Sequence, residues 1–415
     1  ALKCFHLKPR TSLRIARRYH TLKKIKMKKT ILLLTSMILL ISCGRTDEEI
    51  LNKVLTKLDD IKTIKYNSTF EVKENGLVIH RAIDTISFDF KNDNPSNLKY
   101  HFNSNSGELI FNGLKTFQSN NQEKVITTSD DNRPESINNP LILTFNYLKN
   151  ILPKLVKDKN VKIERNRDTI IDSKQLIVFN FILKKRYIDF VNYEFKEGID
   201  YDSKYILFVN SSNYLPYKII IPNGKEGSTS RTIENPIVNL EINNDIWSGD
   251  ILPKDYLTFT EKEYSIIQEN NVLNNIGKKV EHHELPNLEN DILQNITKLK
   301  GNVVLLDFWF KNCGGCVAAI PSLNKIKTKF EKDDFKIFGV EFTEKQPKDN
   351  LKKYIENRKI QYPILYKGKS FATNYGIKAA PTFMILDKKG TIIYIKSGFS
   401  EKVIDEIIDI IETNI

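Results

Sequence analysis

The sequence predicts two domains of different class: an α/β C-terminal domain built on a mostly parallel sheet, and an α+β, mostly antiparallel N-terminal domain. Three observations predict this. From about Glu284 to Ile415, apolar runs alternate with helical patterns, as a parallel sheet requires. From Ile64 to Ile221 the dominant period is instead two. Between them, about Gln268 to Asn287, lies a polar stretch rich in Asn that reads as a linker.

The chain begins with a strongly basic segment. Residues 1–42 contain 11 Lys and Arg and no acid. Residues 1–26 show no apolar period and are expected to be a leader that is untranslated or follows a mis-called start. Met27, Lys28 and Lys29 then precede the apolar run Ile31–Ile41, too short to span a bilayer comfortably. That run ends in Leu40-Ile41-Ser42-Cys43, which resembles a bacterial lipobox. Residues 27–42 are therefore expected to be a lipoprotein signal peptide and Cys43 the lipidated residue. The whole chain carries 64 Lys and Arg against 51 Asp and Glu, a formal charge of +13. Removing the 11 basic residues of the leader leaves 53 against 51, a balance of +2. A balance this small argues against a nucleic-acid partner.

In the first domain (residues 43–267), Asp47-Glu48-Glu49 opens an amphipathic helix carrying Ile50, Leu51, Val54, Leu55, Leu58 and Ile61. Alternation then marks strands at Ile64–Val72, Ile86–Phe90 and Ile177–Leu183, with further strands at Tyr205–Val209 and Tyr217–Ile221. A second helix is expected between about Leu141 and Val156, kinked or ended by Pro153. His80 and His101 stand alone on strand patterns and are read as solvent-facing or hydrogen-bonded. This order of elements resembles the half-barrel of LolA-like lipoprotein carriers, in topology only. Such a fold can hold an apolar ligand, whereas a spacer or partner-binding domain needs no ligand.

After the linker (residues 268–283), the C-terminal domain (residues 284–415) opens its core with Val303–Phe308, a buried parallel strand. The strand leads through Trp309 to Cys313-Gly314-Gly315-Cys316 at the start of a helix running to about Glu331. A helix N-terminus presents free N–H groups that favour an anion, here the Cys313 thiolate. Cys316 is placed to close a disulfide with it. Three residues enclose too small a loop for much entropic stabilisation, so the pair reads as chemical. The strand Phe335–Phe342, the helix Pro347–Arg358, the extended piece Tyr362–Tyr366, two strands around Asp387-Lys388-Lys389-Gly390 and the helix Glu401–Ile411 complete the domain. Zinc needs four ligands, and His282 and His283 lack the spacing of a second pair. Lys311-Asn312 does not supply a peroxiredoxin's Pro/Thr-rich loop.

On these residues the C-terminal domain resembles the TlpA/ResA-type thioredoxin-like thiol:disulfide oxidoreductases. Lys300–Trp309 is similar to the family's first core strand, Pro321 to the proline of its active-site helix, and Gly376–Thr382 to the segment carrying its cis-proline. The resemblance implies that Cys313 attacks, that Cys316 resolves the mixed disulfide, and that Asp307 is the buried acid that takes the proton from Cys316. Pro381, with Thr382 after it, would hold backbone beside Cys313 for an extended peptide, and Trp309 would pack beside the loop. No cofactor is expected beyond the Cys313–Cys316 disulfide. The partners implied are exported cysteine-containing proteins and a membrane thiol donor or acceptor. The expected place is the cell envelope, lipid-anchored and facing the periplasm, at the outer membrane rather than the inner, or on the cell surface. The sequence departs from its relatives at Ala319, where many carry Glu, at Asn312, where Trp is common, and at Gly314-Gly315, which lacks a proline. These departures leave the redox potential open.

Overall fold

The computed structural model describes residues 46–91, 98–130, 140–224, 226–343 and 347–415. The leader, the signal peptide and Cys43 lie outside the described residues. The helix Asp47–Asp60 comes first, with Asp47, Glu48 and Glu49 in its first turn. Lys57–Ile415, from the last turn of that helix onward, is one compact unit that holds both the antiparallel sheet and the α/β domain.

Among the described residues, the N-terminal region forms one open sheet of 13 strands, not a closed barrel. Its centre is the long hairpin Thr63–Glu74 with Leu77–Asp89, paired on its other side with Gly227–Val238. From Leu77–Asp89 the sheet steps through Lys99–Ser104, Gly107–Phe111, Thr116–Asn120 and Val125–Ser129 to Leu257–Thr260. From Gly227–Val238 it steps through Pro216–Asn223, Ser203–Asn210 and Lys174–Leu183 to Val161–Arg165. The pairing is antiparallel except where Leu257–Thr260 runs parallel to Val125–Ser129. The alternation seen in sequence buries one side: Ile64, Tyr66 and Ser68 are buried while Lys65 and Asn67 are exposed.

The second helix starts later than its apolar pattern suggests, at Phe145, and runs to Lys157. Leu143 takes a left-handed conformation (φ 56°), and Thr144 caps the helix by accepting from the Tyr147 N–H. Pro153 therefore lies inside the helix and does not end it. The helix is tied to the sheet where the Phe145 N–H donates to the Tyr66 hydroxyl (3.2 Å). His101 is buried and lies 2.6 Å from Glu108 Oε2, and His80 is exposed against the Phe70 ring.

The expected linker is largely ordered structure. Thr260 and Glu263 form a reciprocal capping box, and the helix Glu261–Leu273 takes up Gln268 to Leu273. Asn274 is the C-cap, and the side chain of Asn275 after it donates to the carbonyls of Val272 (3.0 Å) and Tyr375 (3.1 Å). Val272 and Val280 belong to the C-terminal core. The Asn-rich composition reflects the hydrogen bonds of a docked helix end, not a free tether.

The C-terminal sheet has the order Ile364–Leu365, Phe335–Glu341, Val303–Trp309, Thr382–Leu386, Ile392–Ser397. The first three strands are parallel and the last two antiparallel. Every residue of Val303–Trp309 is buried, as expected of a central strand covered on both faces. Period two divides it. Val303, Leu305 and Trp309 pack in the cluster that contains Cys313, Cys316, Ala319 and Leu323. Val304, Leu306 and Phe308 pack on the other side with Phe371 and Tyr375. Among the described residues, no helix is long and apolar enough to cross a membrane.

Candidate active site

The central strand delivers its last residues to the end of the sheet, and the chain turns there into the helix Gly314–Lys329. Asn312 makes the turn with φ 66°, a left-handed conformation that Asn tolerates better than Trp or other bulky residues. Cys313 is the N-cap. Its sulfur accepts the backbone N–H of Cys316 (3.2 Å), and its carbonyl accepts that of Val317 (3.0 Å). Cys313 and Cys316 are joined in a disulfide with their Cα atoms 5.2 Å apart. Exposure does not separate the two, at 7% and 6%. Position does: the Cys313 sulfur receives an N–H of the helix's first turn, which stabilises negative charge on that atom. Pro321 lies inside the same helix.

Opposite the disulfide, Ala380–Pro381 is a cis peptide. The Ala380 carbonyl oxygen is 3.4 Å from the Cys313 sulfur. Thr382, fully buried, donates to the Ala379 carbonyl (2.8 Å) or shares a hydrogen bond with Ser397 (2.7 Å), and the Gly398 N–H donates to the Pro381 carbonyl (2.8 Å). Gly315 explains the missing side chain in the inter-cysteine dipeptide. A Cβ there would stand 3.0 Å from Pro381 Cδ, while Gly314 has open space around it.

Asp307 occupies an odd position on the central strand, so it faces the side on which Cys316, Ala319 and Leu323 pack. It is buried, and Oδ2 accepts the Tyr362 hydroxyl (3.0 Å) while Oδ1 has no hydrogen-bond partner. Burial raises its pKa to about 7, against a smaller lowering by the Tyr362 hydrogen bond. Ala319, on the same side, is fully buried and brings no carboxyl of its own. Gly339 is the register partner of Asp307 on the next strand, and three side chains crowd over it. A Cβ there would meet Ile364 Cδ1 at 2.5 Å, Trp309 Nε1 at 2.9 Å and Tyr362 Cε2 at 3.1 Å. Gly339→Ala is therefore expected to destabilise the chain by about 1–3 kcal/mol through overpacking, read as a lower urea midpoint. An unchanged midpoint would mean that these three side chains yield freely.

Trp309 stacks on Tyr354 (centroids 5.8 Å, 11° between planes). The Tyr354 hydroxyl accepts the Asn312 N–H (3.4 Å), so this aromatic pair supports the turn before Cys313. Two ion pairs then bring N-terminal residues to the rim. Lys311 pairs with Glu74 at the tip of the central hairpin, and Lys378, before the cis-proline, pairs with Glu123 (2.6 Å). Sequence reading placed the cysteines, Asp307, Trp309 and Pro381 in one region but missed Tyr354, Tyr362, Gly339 and Glu74. None of these four lies in a motif, and each reaches the site from a distant segment. Among the described residues, no group of three or more His, Cys, Asp and Glu is arranged to hold a metal. His283 instead packs against the Phe371 ring (4.7 Å) and His282 lies 3.2 Å from Asn295.

Residues 276–395 match the AhpC/TSA family. The chain is 24% identical over 138 residues to the thiol-disulfide oxidoreductase ResA of Halalkalibacterium halodurans, covering 33% of this chain and 77% of that protein. It is 27% identical over 148 residues to the thioredoxin-like protein YneN of Bacillus subtilis, covering 35% and 81%. Among solved structures, StoA from Bacillus subtilis aligns at 23% identity over 30% of this chain and 96% of that one, with a TM-score of 0.27. The thioredoxin domain of a thiol-disulfide oxidoreductase from Bacteroides vulgatus aligns at 23% identity over 33% and 97%, with a TM-score of 0.30.

Proposed function

We propose that the thioredoxin-like thiol-disulfide oxidoreductase domain of this chain exchanges disulfides of exported proteins through Cys313 and Cys316, at the cell envelope. The observation that carries the reading is the cysteine pair at a helix N-terminus, beside a cis-proline and packed on the face of the central strand that bears a buried carboxyl. In the reducing direction, the Cys313 thiolate attacks a substrate disulfide. One sulfur bond forms to Cys313, and the departing substrate thiolate takes a proton. Asp307, ionised in part near neutral pH, accepts the Cys316 proton. Cys316 then attacks the Cys313 sulfur, the second substrate thiolate leaves, and the Cys313–Cys316 disulfide returns. Each cycle consumes two electrons, which a membrane thiol donor would supply. Pro381 and Thr382 would offer backbone to the extended substrate, and lipid on Cys43 would hold the chain at the membrane, the outer one in preference to the inner.

A LolA-like half-barrel carrying an apolar ligand is the second reading of the N-terminal region. Its open antiparallel sheet and buried helix are compatible with that. The cavity in this region, about 980 Å³, is lined by Phe70 and Phe102 but also by Asp84, Glu108, His80 and Arg231. Such a lining favours a polar occupant or a partner-binding role over an apolar one.

A redox titration of the full chain against glutathione or dithiothreitol, following the thiols of Cys313 and Cys316 by alkylation, tests the function. One two-electron transition is expected. A midpoint near or below about −220 mV marks a reductase that needs a donor, and one near about −120 mV an oxidant. Absence of a reversible two-thiol couple would sink the proposal.

A further inference from the structure

We propose that a cavity beside the active-site turn is a subsite for an acidic segment of the protein substrate. This rests on the exchange reaction above and names its substrate class. The cavity, about 430 Å³, is walled by the hairpin tip Glu74-Asn75, by Lys311-Asn312 immediately before Cys313, and by the helix Lys348–Arg358. Among its described lining residues stand three cations, Lys311, Lys353 and Arg358, against one carboxylate, Glu74.

One oxygen of that carboxylate, Glu74 Oε1, is engaged by Lys311, whose side chain is only 10% exposed, and Oε2 is buried. Lys353 and Arg358 are exposed at the cavity, and the Arg358 guanidinium lies over the Tyr354 ring (5.5 Å), which orients it. Asn350, one of the lining residues, is buried; its Oδ1 accepts from Asn75 and its Nδ2 has no hydrogen-bond partner. The exposed Lys353 ammonium and Arg358 guanidinium favour an acceptor that carries negative charge, and a side-chain carboxylate fits that pair.

The position sets which carboxylates reach it. Asn312 borders the cavity and is one residue, about 3.8 Å of backbone, from Cys313. A substrate whose sulfur is engaged by Cys313 would carry residues two to four from its own cysteine into this space. The hairpin tip supplies one wall, so the N-terminal region takes part in choosing the substrate.

The test uses the full chain and three synthetic disulfide peptides that differ only at positions two to four from the cysteine, carrying Glu, Gln or Lys. The Glu peptide is expected to exceed the Lys peptide about tenfold in kcat/KM, with the difference in KM and diminished at high salt. Lys353→Glu with Arg358→Glu, both exposed on a helix, is expected to reverse the order. Equal kcat/KM for the Glu and Lys peptides, or an order unchanged in the double variant, would overturn the subsite. If no peptide is turned over, the exchange reading has failed, and the subsite is then read without redox chemistry. Fluorescence anisotropy of the Glu peptide with Ser in place of its cysteines should show saturable binding that the double variant loses. Equal binding of the Glu and Lys forms overturns it.

Discussion

Cys313→Ser is expected to abolish reduction of a protein disulfide, while Cys316→Ser is expected to accumulate the substrate as a mixed disulfide on Cys313. The asymmetry follows from geometry. Only the Cys313 sulfur receives the N–H of the helix's first turn and lies beside the Ala380 carbonyl ahead of the cis-proline. Removing a covalent nucleophile costs roughly 10³-fold or more in rate. Removing the resolving sulfur leaves attack intact and removes release. Insulin reduction gives the first readout. Non-reducing electrophoresis of the Cys316→Ser protein, mixed with a disulfide-containing partner, gives the second. Full activity in Cys313→Ser would sink the mechanism, and trapping by Cys313→Ser in place of Cys316→Ser would exchange the two roles.

Asp307→Asn should raise stability at alkaline pH and slow resolution. The folded carboxyl has a pKa near 7, raised chiefly by burial, against an ordinary value of 3.8. Between about pH 4 and pH 7 the unfolded chain has lost this proton while the folded chain keeps it. The native state therefore binds more protons, and stability falls as pH rises through this window. A shift of about three pH units corresponds to on the order of 4 kcal/mol lost once Asp307 is fully ionised in the fold. Asn has nearly the same shape and no charge, so the variant should lack this contribution. Urea midpoints of the oxidised protein at pH 5 and pH 8 measure it, with the wild type losing more between them than Asp307→Asn. The same variant should release substrate from Cys313 more slowly, because Cys316 loses the group that takes its proton. Matching pH dependence in the two proteins would show that Asp307 is not the group that titrates.

Much of the redox centre was legible because its parts are close in sequence or follow a period. The run Val303–Trp309 declares a buried strand, and the resemblance to the thioredoxin-like oxidoreductases points to Asp307 and Trp309 near the cysteines. Thr260 and Glu263 also carry the signature of a helix start, which would have shown that the Asn-rich stretch begins inside a helix. The later start of the helix Phe145–Lys157 was harder to see. Its apolar pattern extends back to Leu141, and only the left-handed Leu143 and the Thr144 cap separate turn from helix.

By itself, then, the sequence determined the two classes of domain, the buried strand Val303–Phe308 and the helix-start position of Cys313 and Cys316. These depend on backbone period and on residues a few places apart. The tertiary structure decided what surrounds them. It set the Tyr362 hydroxyl against Asp307 across 55 positions, and Glu74 against Lys311 across 237. It also gave Gly339 the task of leaving room for Trp309 and Tyr362. The physical reason is that burial, side-chain pairing and close packing depend on which distant segments become neighbours. Those neighbours fix the ionisation of Asp307 and the charges that ring the Cys313 turn.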